Sequence, residues 1–357
     1  YFNAVQAFYE LLKEHESNVL GSVGFGDIFA NASKIENAYS EPCDVIHWIR
    51  LCTELFSLTG KPCYVDSVEK AFYNAYLAGF SDEGKWGMRR VRTSGRHAPA
   101  WGQSSCKYNH CCVDNMPRGY LNVTSSTVME SANEQGVIYI NQYCPFESVV
   151  CGGKTKILCS DGYLSGGKVT FTIDSKIPLM LNIRIPSFAG KNAKVDGISQ
   201  VTPGDFSTLN VNPGITEIHA DFDFSPVLHD NENTYEDYPE KDFRIERWLW
   251  EPGETPHVSR DSMMKKQCSY ITYGPLLLAQ SKKLGASEKD MFDFSSVHGK
   301  NYKISAEPDK EIPNNVFLNF KVTLDNGKDK IEKRMCDYAS ASDLYSNLDD
   351  KFFNVYL

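Results

Sequence analysis

The 357-residue chain is short of several features, and each shortage removes a class of protein. No apolar run approaches the roughly 20 residues needed to cross a bilayer, so no helical membrane span is expected. No secretory leader opens the sequence, but this one absence excludes nothing, because Tyr1 starts directly in a helical pattern. No internal repeat or low-complexity tract is present, which excludes solenoids and fibrous arrays. Basic residues are outnumbered, with a net charge of -9. That argues against nucleic acid or an anionic membrane surface as a main partner. The glycines of Gly21-Ser22-Val23-Gly24-Phe25-Gly26 lack the spacing and the strand-to-helix context of a dinucleotide fingerprint. The 11 cysteines are odd in number and do not follow the spacing of a small disulfide scaffold or a C-x2-C zinc knuckle.

What remains is an ordinary globular composition, 41% hydrophobic and 23% charged, long enough for two domains. The first part is helical in pattern. Val5, Phe8, Tyr9 and Leu12 repeat at i, i+3, i+4 and i+7. Pro42 suits the first turn of a second helix that continues through Ile46, Ile49, Cys52 and Phe56 and stops near Gly60. A third helix runs from about Val65 to Leu77, and a fourth is expected from about Pro117. Between them, Ser81 to His110 reads as a long polar loop carrying Arg89, Arg90, Arg92, Arg96 and His97, either a solvated segment or the rim of a cleft. After about Gln135 the period becomes two. Val169, Phe171 and Ile173 alternate, as do Leu179, Leu181 and Ile183, then Ile218, Ala220 and Phe222, then Val316, Leu318, Phe320, Val322 and Leu324. Several such runs separated by turns suggest a β-sandwich over 135–357, with a polar insertion around 229–266 that could fold over a site. Cys52 and Cys159 fall on apolar faces and read as buried hydrophobes.

Two stretches carry chemistry. Glu41-Pro42-Cys43 sits at a helix start, where partial positive charge favours a carboxylate and a thiolate. Cys111-Cys112 adds two more thiols. One oxygen and three sulfurs suit a four-coordinate soft divalent ion. Spacing alone leaves open that Cys111 and Cys112 are buried thiols or disulfide partners.

The segments Tyr39-Ser40-Glu41-Pro42-Cys43, Val68-Glu69-Lys70-Ala71-Phe72-Tyr73-Asn74, His110-Cys111-Cys112-Val113-Asp114-Asn115 and Tyr270-Ile271-Thr272-Tyr273-Gly274-Pro275 occur in this order. Together they resemble glycoside hydrolase family 127, the β-L-arabinofuranosidases, over the chain from about Phe2 onward. The resemblance implies an α+β multidomain fold: the C-terminal part of an (α/α)6 barrel (1–134) followed by a β-sandwich (135–357). It implies a zinc ion held by Glu41, Cys43, Cys111 and Cys112, with Cys111 as nucleophile of a retaining glycosidase acting on a β-L-arabinofuranoside or a related sugar. Asp27 aligns with the family's acid/base glutamate across a small gap, with Glu36 as the fallback, and Glu69 matches a glutamate that contacts substrate, or else plays a structural role on its helix. His47, His97 and His110 are not matched to the family's substrate-binding histidines. Three or four helices are too few for a full barrel, so an N-terminal segment or a partner chain is expected to complete it. Two other readings stand beside this one: a non-catalytic carbohydrate-binding or scaffold protein with a structural zinc, and a metal-free thiol hydrolase using Cys111 and His110.

Overall fold

The computed structural model describes residues 1–26, 29, 32–34, 39–80, 89–95, 98–99, 111–231, 268–291, 297–311, 316–341 and 353–357. Asp27, Glu36, His97, His110 and most of the expected insertion lie outside these residues.

Among the described residues, four α-helices carry the first part: α1 (Phe2–Leu11), α2 (Pro42–Thr59), α3 (Pro62–Ala71) and α4 (Cys111–Thr127). The chain continues past α1 and α3 in π-helical turns, Leu12–Glu16 and Phe72–Tyr76. Among the described residues the strands are β1 (Tyr39–Ser40), β2 (Arg89–Arg92), β3 (Ser94–Gly95), β4 (Ala98–Pro99), β5 (Val128–Glu130), β6 (Val137–Ile140), β7 (Phe146–Val150), β8 (Thr155–Cys159), β9 (Lys168–Ser175), β10 (Leu179–Arg184), β11 (Lys194–Val195), β12 (Phe206–Val211), β13 (Gly214–Asp221), β14 (Pro226–Asn231), β15 (Cys268–Tyr273), β16 (Leu276–Ser281), β17 (Lys303–Pro308), β18 (Asn319–Asp325), β19 (Lys330–Asp337) and β20 (Phe353–Asn354).

α2 follows the sequence signals closely. Proline opens it, its buried face repeats as Val45, Ile46, Ile49, Cys52 and Phe56, and Gly60 closes it with φ 66°. α4 begins at Cys111, not at Pro117, which lies inside the helix. A proline there removes one backbone donor and would ordinarily end a helix, which is why the sequence pointed to a start at that residue. Arg89–Arg92, expected in a loop, forms β2 and pairs with β1, Tyr39 against Arg92 and Ser40 against Val91. The strands after α4 start at Val128, ahead of the expected change near Gln135. Residues 229–231, expected in the insertion, complete β14, which pairs with β15.

Beyond α4 lie a four-stranded sheet in the order β12-β10-β6-β5, a five-stranded sheet β11-β13-β9-β8-β7, and a larger sheet running β14-β15-β16-β19-β18-β17. Ile138, Leu181 and Ile183 of the first sheet share one core with Ile157, Phe171 and Ile218 of the second and with Leu278, Val322 and Leu324 of the third. A separate core joins the helices to the other face of the large sheet, through Ile49, Phe56 and Val68 on one side and Leu277, Ala279 and Cys336 on the other. β16 is therefore buried on both faces, and its Leu276-Leu277-Leu278-Ala279 run is continuously apolar, as such strands are.

Two buried polar contacts seat the helices on the sheets. Asn74 donates its amide to the Pro275 carbonyl at 2.9 Å and accepts from the Leu277 N–H at 2.8 Å. Arg184 of β10, fully buried, meets Asp66 and Glu69 of α3, with Glu69 Oε2 at 2.7 Å from Nη2. Its guanidinium also donates through Nε to the Asn141 carbonyl at 2.7 Å and lies 5.3 Å above the Tyr143 ring. Burial pulls that guanidinium down, but the Glu69 and Asp66 carboxylates outweigh it, and Arg184 stays charged.

The glycine-rich loop is a tight buried turn. Asn18 accepts the Leu20 N–H on its side chain at 3.0 Å, and Gly21 sits at φ 82° with its Cα pressed against α3. A Cβ at Gly21 would stand 2.8 Å from the Lys70 carbonyl carbon. Its glycine thus serves close packing, in keeping with the absence of a phosphate fingerprint.

Candidate metal centre

Two helix starts converge. Glu41 precedes α2 in extended conformation, and its backbone N–H donates to the Asp44 carboxylate at 3.1 Å, one half of a capping box. Cys43 follows in the first turn. Cys111 and Cys112 lie at the first two positions of α4. The helices are drawn together around Gly119, where a Cβ would stand 2.6 Å from the Tyr76 ring and 2.9 Å from Ile46. The Tyr76 hydroxyl donates to the Met116 carbonyl at 2.5 Å, tying α4 to the turn that follows α3.

The three sulfurs lie within 4.8 Å of one another. Cys43 Sγ is 3.9 Å from Cys112 Sγ, and Cys112 Sγ is 4.0 Å from Cys111 Sγ. The Cys112 thiol points at Glu41 Oε2, 3.1 Å away. Cys43, Cys112 and Glu41 are buried, while Cys111 is exposed. Cys43, together with burial and the Glu41 carboxylate, drives the Cys112 thiol far above its ordinary range. Crowded donors of this kind do not ionise together without a cation among them. As a donor set, three sulfurs and a carboxylate oxygen are what a soft divalent ion prefers, and this cluster could hold one.

A further residue supports the cluster. Arg118 Nη1 donates to Asn115 Oδ1 at 3.0 Å, which fixes the amide so that Nδ2 faces Cys43 Sγ at 3.3 Å. Because guanidinium only donates, the orientation of Asn115 follows from chemistry. The sequence contained Asn115 inside the Cys-Cys motif, but helical spacing from Cys111 gave no reason to aim it at Cys43.

The other candidate residues are placed as follows. Glu69 is fully buried in the Arg184 pair, and none of the four residues of the cluster is among its partners. His47 lies on α2. Among the described residues no disulfide joins two cysteines, and Cys52 and Cys159 are buried as expected.

The helices, the sheets stacked beyond them and the thiol-carboxylate cluster at two helix starts can be set beside known proteins. Residues 1–125 match the family model described as Beta-L-arabinofuranosidase, GH127 catalytic domain, and the resemblance read from the motifs is to that family. Among solved structures, the chain is similar to a GH127 beta-L-arabinofuranosidase from Geobacillus stearothermophilus T6, with 14% identity and a TM-score of 0.65, covering 99% of this chain and 56% of that one. It is similar to a GH127 beta-arabinofuranosidase, BT3674, with 17% identity and a TM-score of 0.68, covering 100% of this chain and 56% of the other. A third, a glycoside hydrolase, has 15% identity and a TM-score of 0.66, covering 98% and 60%. At this identity the likeness is one of fold. The chain spans little more than half the length of the first two structures. A search of curated protein sequences finds no significant match.

Proposed function

We propose that the chain is the zinc-bearing part of a retaining glycoside hydrolase that acts on β-L-arabinofuranosides or a closely related sugar, with Cys111 as nucleophile. Its fold is read as the C-terminal part of an (α/α)6 barrel, 1–134, followed by a β-sandwich, 135–357. The observation that carries the reading is the spacing of the cluster. Ligands at about 2.3 Å from a tetrahedral zinc stand about 3.8 Å apart; two of the three sulfur separations are 3.9 and 4.0 Å, and all three sulfurs lie within 4.8 Å of one another. Glu41, Cys43, Cys111 and Cys112 would hold the ion, and when bound it would keep these sulfurs as thiolates at neutral pH.

The chain's own groups divide the work. Cys111 is the exposed sulfur of the three. Its Sγ attacks the anomeric carbon, forming a C–S bond as the glycosidic C–O bond breaks. The departing oxygen takes a proton from a carboxylic acid, for which Asp27 is the candidate. Water, losing its proton to that same carboxylate, attacks the anomeric carbon next, and the C–S electron pair returns to sulfur. Two displacements retain the configuration. Asn115 and Arg118 hold Cys43 in place, and we assign Glu69 to the frame, since both Arg184 and burial engage it.

Cys111→Ser is expected to abolish release of arabinose from an aryl β-L-arabinofuranoside while leaving the far-UV circular dichroism near wild type. Cys43→Ala is expected to lower both zinc content and thermal stability. Full activity in Cys111→Ser would sink the assignment of the nucleophile. Sugar binding with metal present and no hydrolysis by the intact chain would select the carbohydrate-binding alternative.

A further inference from the structure

A cavity of about 370 Å3 opens between α3, the π-helical turn after α1 and the loops of the sheets, and none of the four cluster residues lines it. Its charge is unusual. Among the described residues Lys70, which lines it, makes no ion pair or hydrogen bond through its ammonium, and Lys13 has only the Tyr9 ring, 5.7 Å away. Asp66, the one acidic group in the lining, gives its carboxylate to Arg184. His229 is engaged at Nε2 by the Thr272 hydroxyl at 2.8 Å and stacks on Tyr270 at 4.7 Å. Burial, and then Lys70, push its imidazole below the usual histidine range, so it is neutral and adds a polar edge without a third charge. Burial, followed by Lys13, likewise lowers Lys70, as expected of two ammonium groups facing one space without a counter-charge.

Aromatic surface and hydroxyls complete the wall. Trp48 and Phe188 contribute rings, and Ser67 and Ser187 contribute hydroxyls. The volume lies at the small end of ligand pockets, roughly 300–1,000 Å3. Two unpaired ammonium groups call for an oxyanion, and rings with interspersed hydroxyls call for a polyhydroxylated body with apolar faces. We propose that this cavity binds a sugar carrying an oxyanion, either a carboxylate or a phosphate, at a site separate from the thiol-carboxylate cluster.

Calorimetric titration of the purified chain with glucuronate and with glucose 6-phosphate tests this, using glucose and inorganic phosphate as controls. At least one anionic sugar is expected to bind and glucose to fail. Binding of glucuronate alone identifies the carboxylate, and binding of glucose 6-phosphate alone identifies the phosphate; either supports the site. Lys70→Met is expected to weaken binding by roughly tenfold or more, the usual worth of a charge-assisted contact. Lys13→Gln, an exposed change that leaves folding intact, is expected to weaken it as well, and Cys111→Ser to leave it unchanged. The proposal is overturned if neither anionic sugar binds, if both lysine variants bind as wild type does, if inorganic phosphate binds as tightly as glucose 6-phosphate, or if Cys111→Ser loses binding.

Discussion

Asn115 shows how much of the cluster depends on one amide. Its Nδ2 faces Cys43 Sγ at 3.3 Å, and Arg118 keeps it from turning over. Partners of this kind set both the orientation and the charge of a ligand, and their loss typically costs about 10–100-fold in metal affinity. Asn115→Ala is therefore expected to lower zinc affinity by that range, measured by competition with a chromophoric chelator, with little change in secondary structure. Asn115→Asp would set a carboxylate against the sulfur and be worse. An unchanged affinity in Asn115→Ala would mean that the amide does no more than fill space.

Among the elements, α2 and α4 decide whether the cluster exists. Their N-terminal turns approach only because Gly119 admits the Tyr76 ring and Ile46 where a side chain would stand. Gly119→Ala places a methyl group into that contact and is expected to destabilise the protein by about 1–3 kcal/mol through overpacking. It should also reduce zinc occupancy, because the strain falls along the contact that holds Cys112 beside Cys43. Urea unfolding and metal analysis of the same preparation check both. A variant with full zinc and lowered stability would separate helix packing from the site. α4 also explains why its start was misplaced in the sequence. Pro117 marks a helix start by local preference, yet tertiary packing through Tyr76 and Met116 carries the helix across it.

At the scale of the whole molecule, helices and sheets are fastened by a few buried polar groups and by the end of the chain. Phe353, Val355 and Tyr356 belong to the helical core although they are among the last residues. The Val355 N–H donates to the Thr93 carbonyl at 3.1 Å and the Leu357 N–H to the Ser269 carbonyl at 2.8 Å. Arg184 reaches from β10 to two carboxylates of α3. Replacing Arg184 with Met leaves the fully buried Glu69 without its counter-charge, and the expected cost is on the order of 3–5 kcal/mol. Hydrogen exchange should quicken in both α3 and β10, since each loses the same partner. Exchange confined to β10 would show that α3 is held by its apolar contacts alone.

The sequence determined what local chemistry can specify: α2 with its proline start and glycine stop, the alternating strands over 168–185 and 319–325, and the motifs that resemble the β-L-arabinofuranosidases. Periodicity and caps act within a few residues, so they are readable without the rest of the chain. Tertiary structure decided what depends on distant groups meeting. It brought Cys43 to within 3.9 Å of a sulfur 69 residues away, turned Arg89–Arg92 into a strand beside the one that leads to Glu41, and spent Glu69 on Arg184. These outcomes rest on burial and on pairing across long stretches of chain, where a side chain's role is set by which partner reaches it first in space and not by its neighbours in sequence.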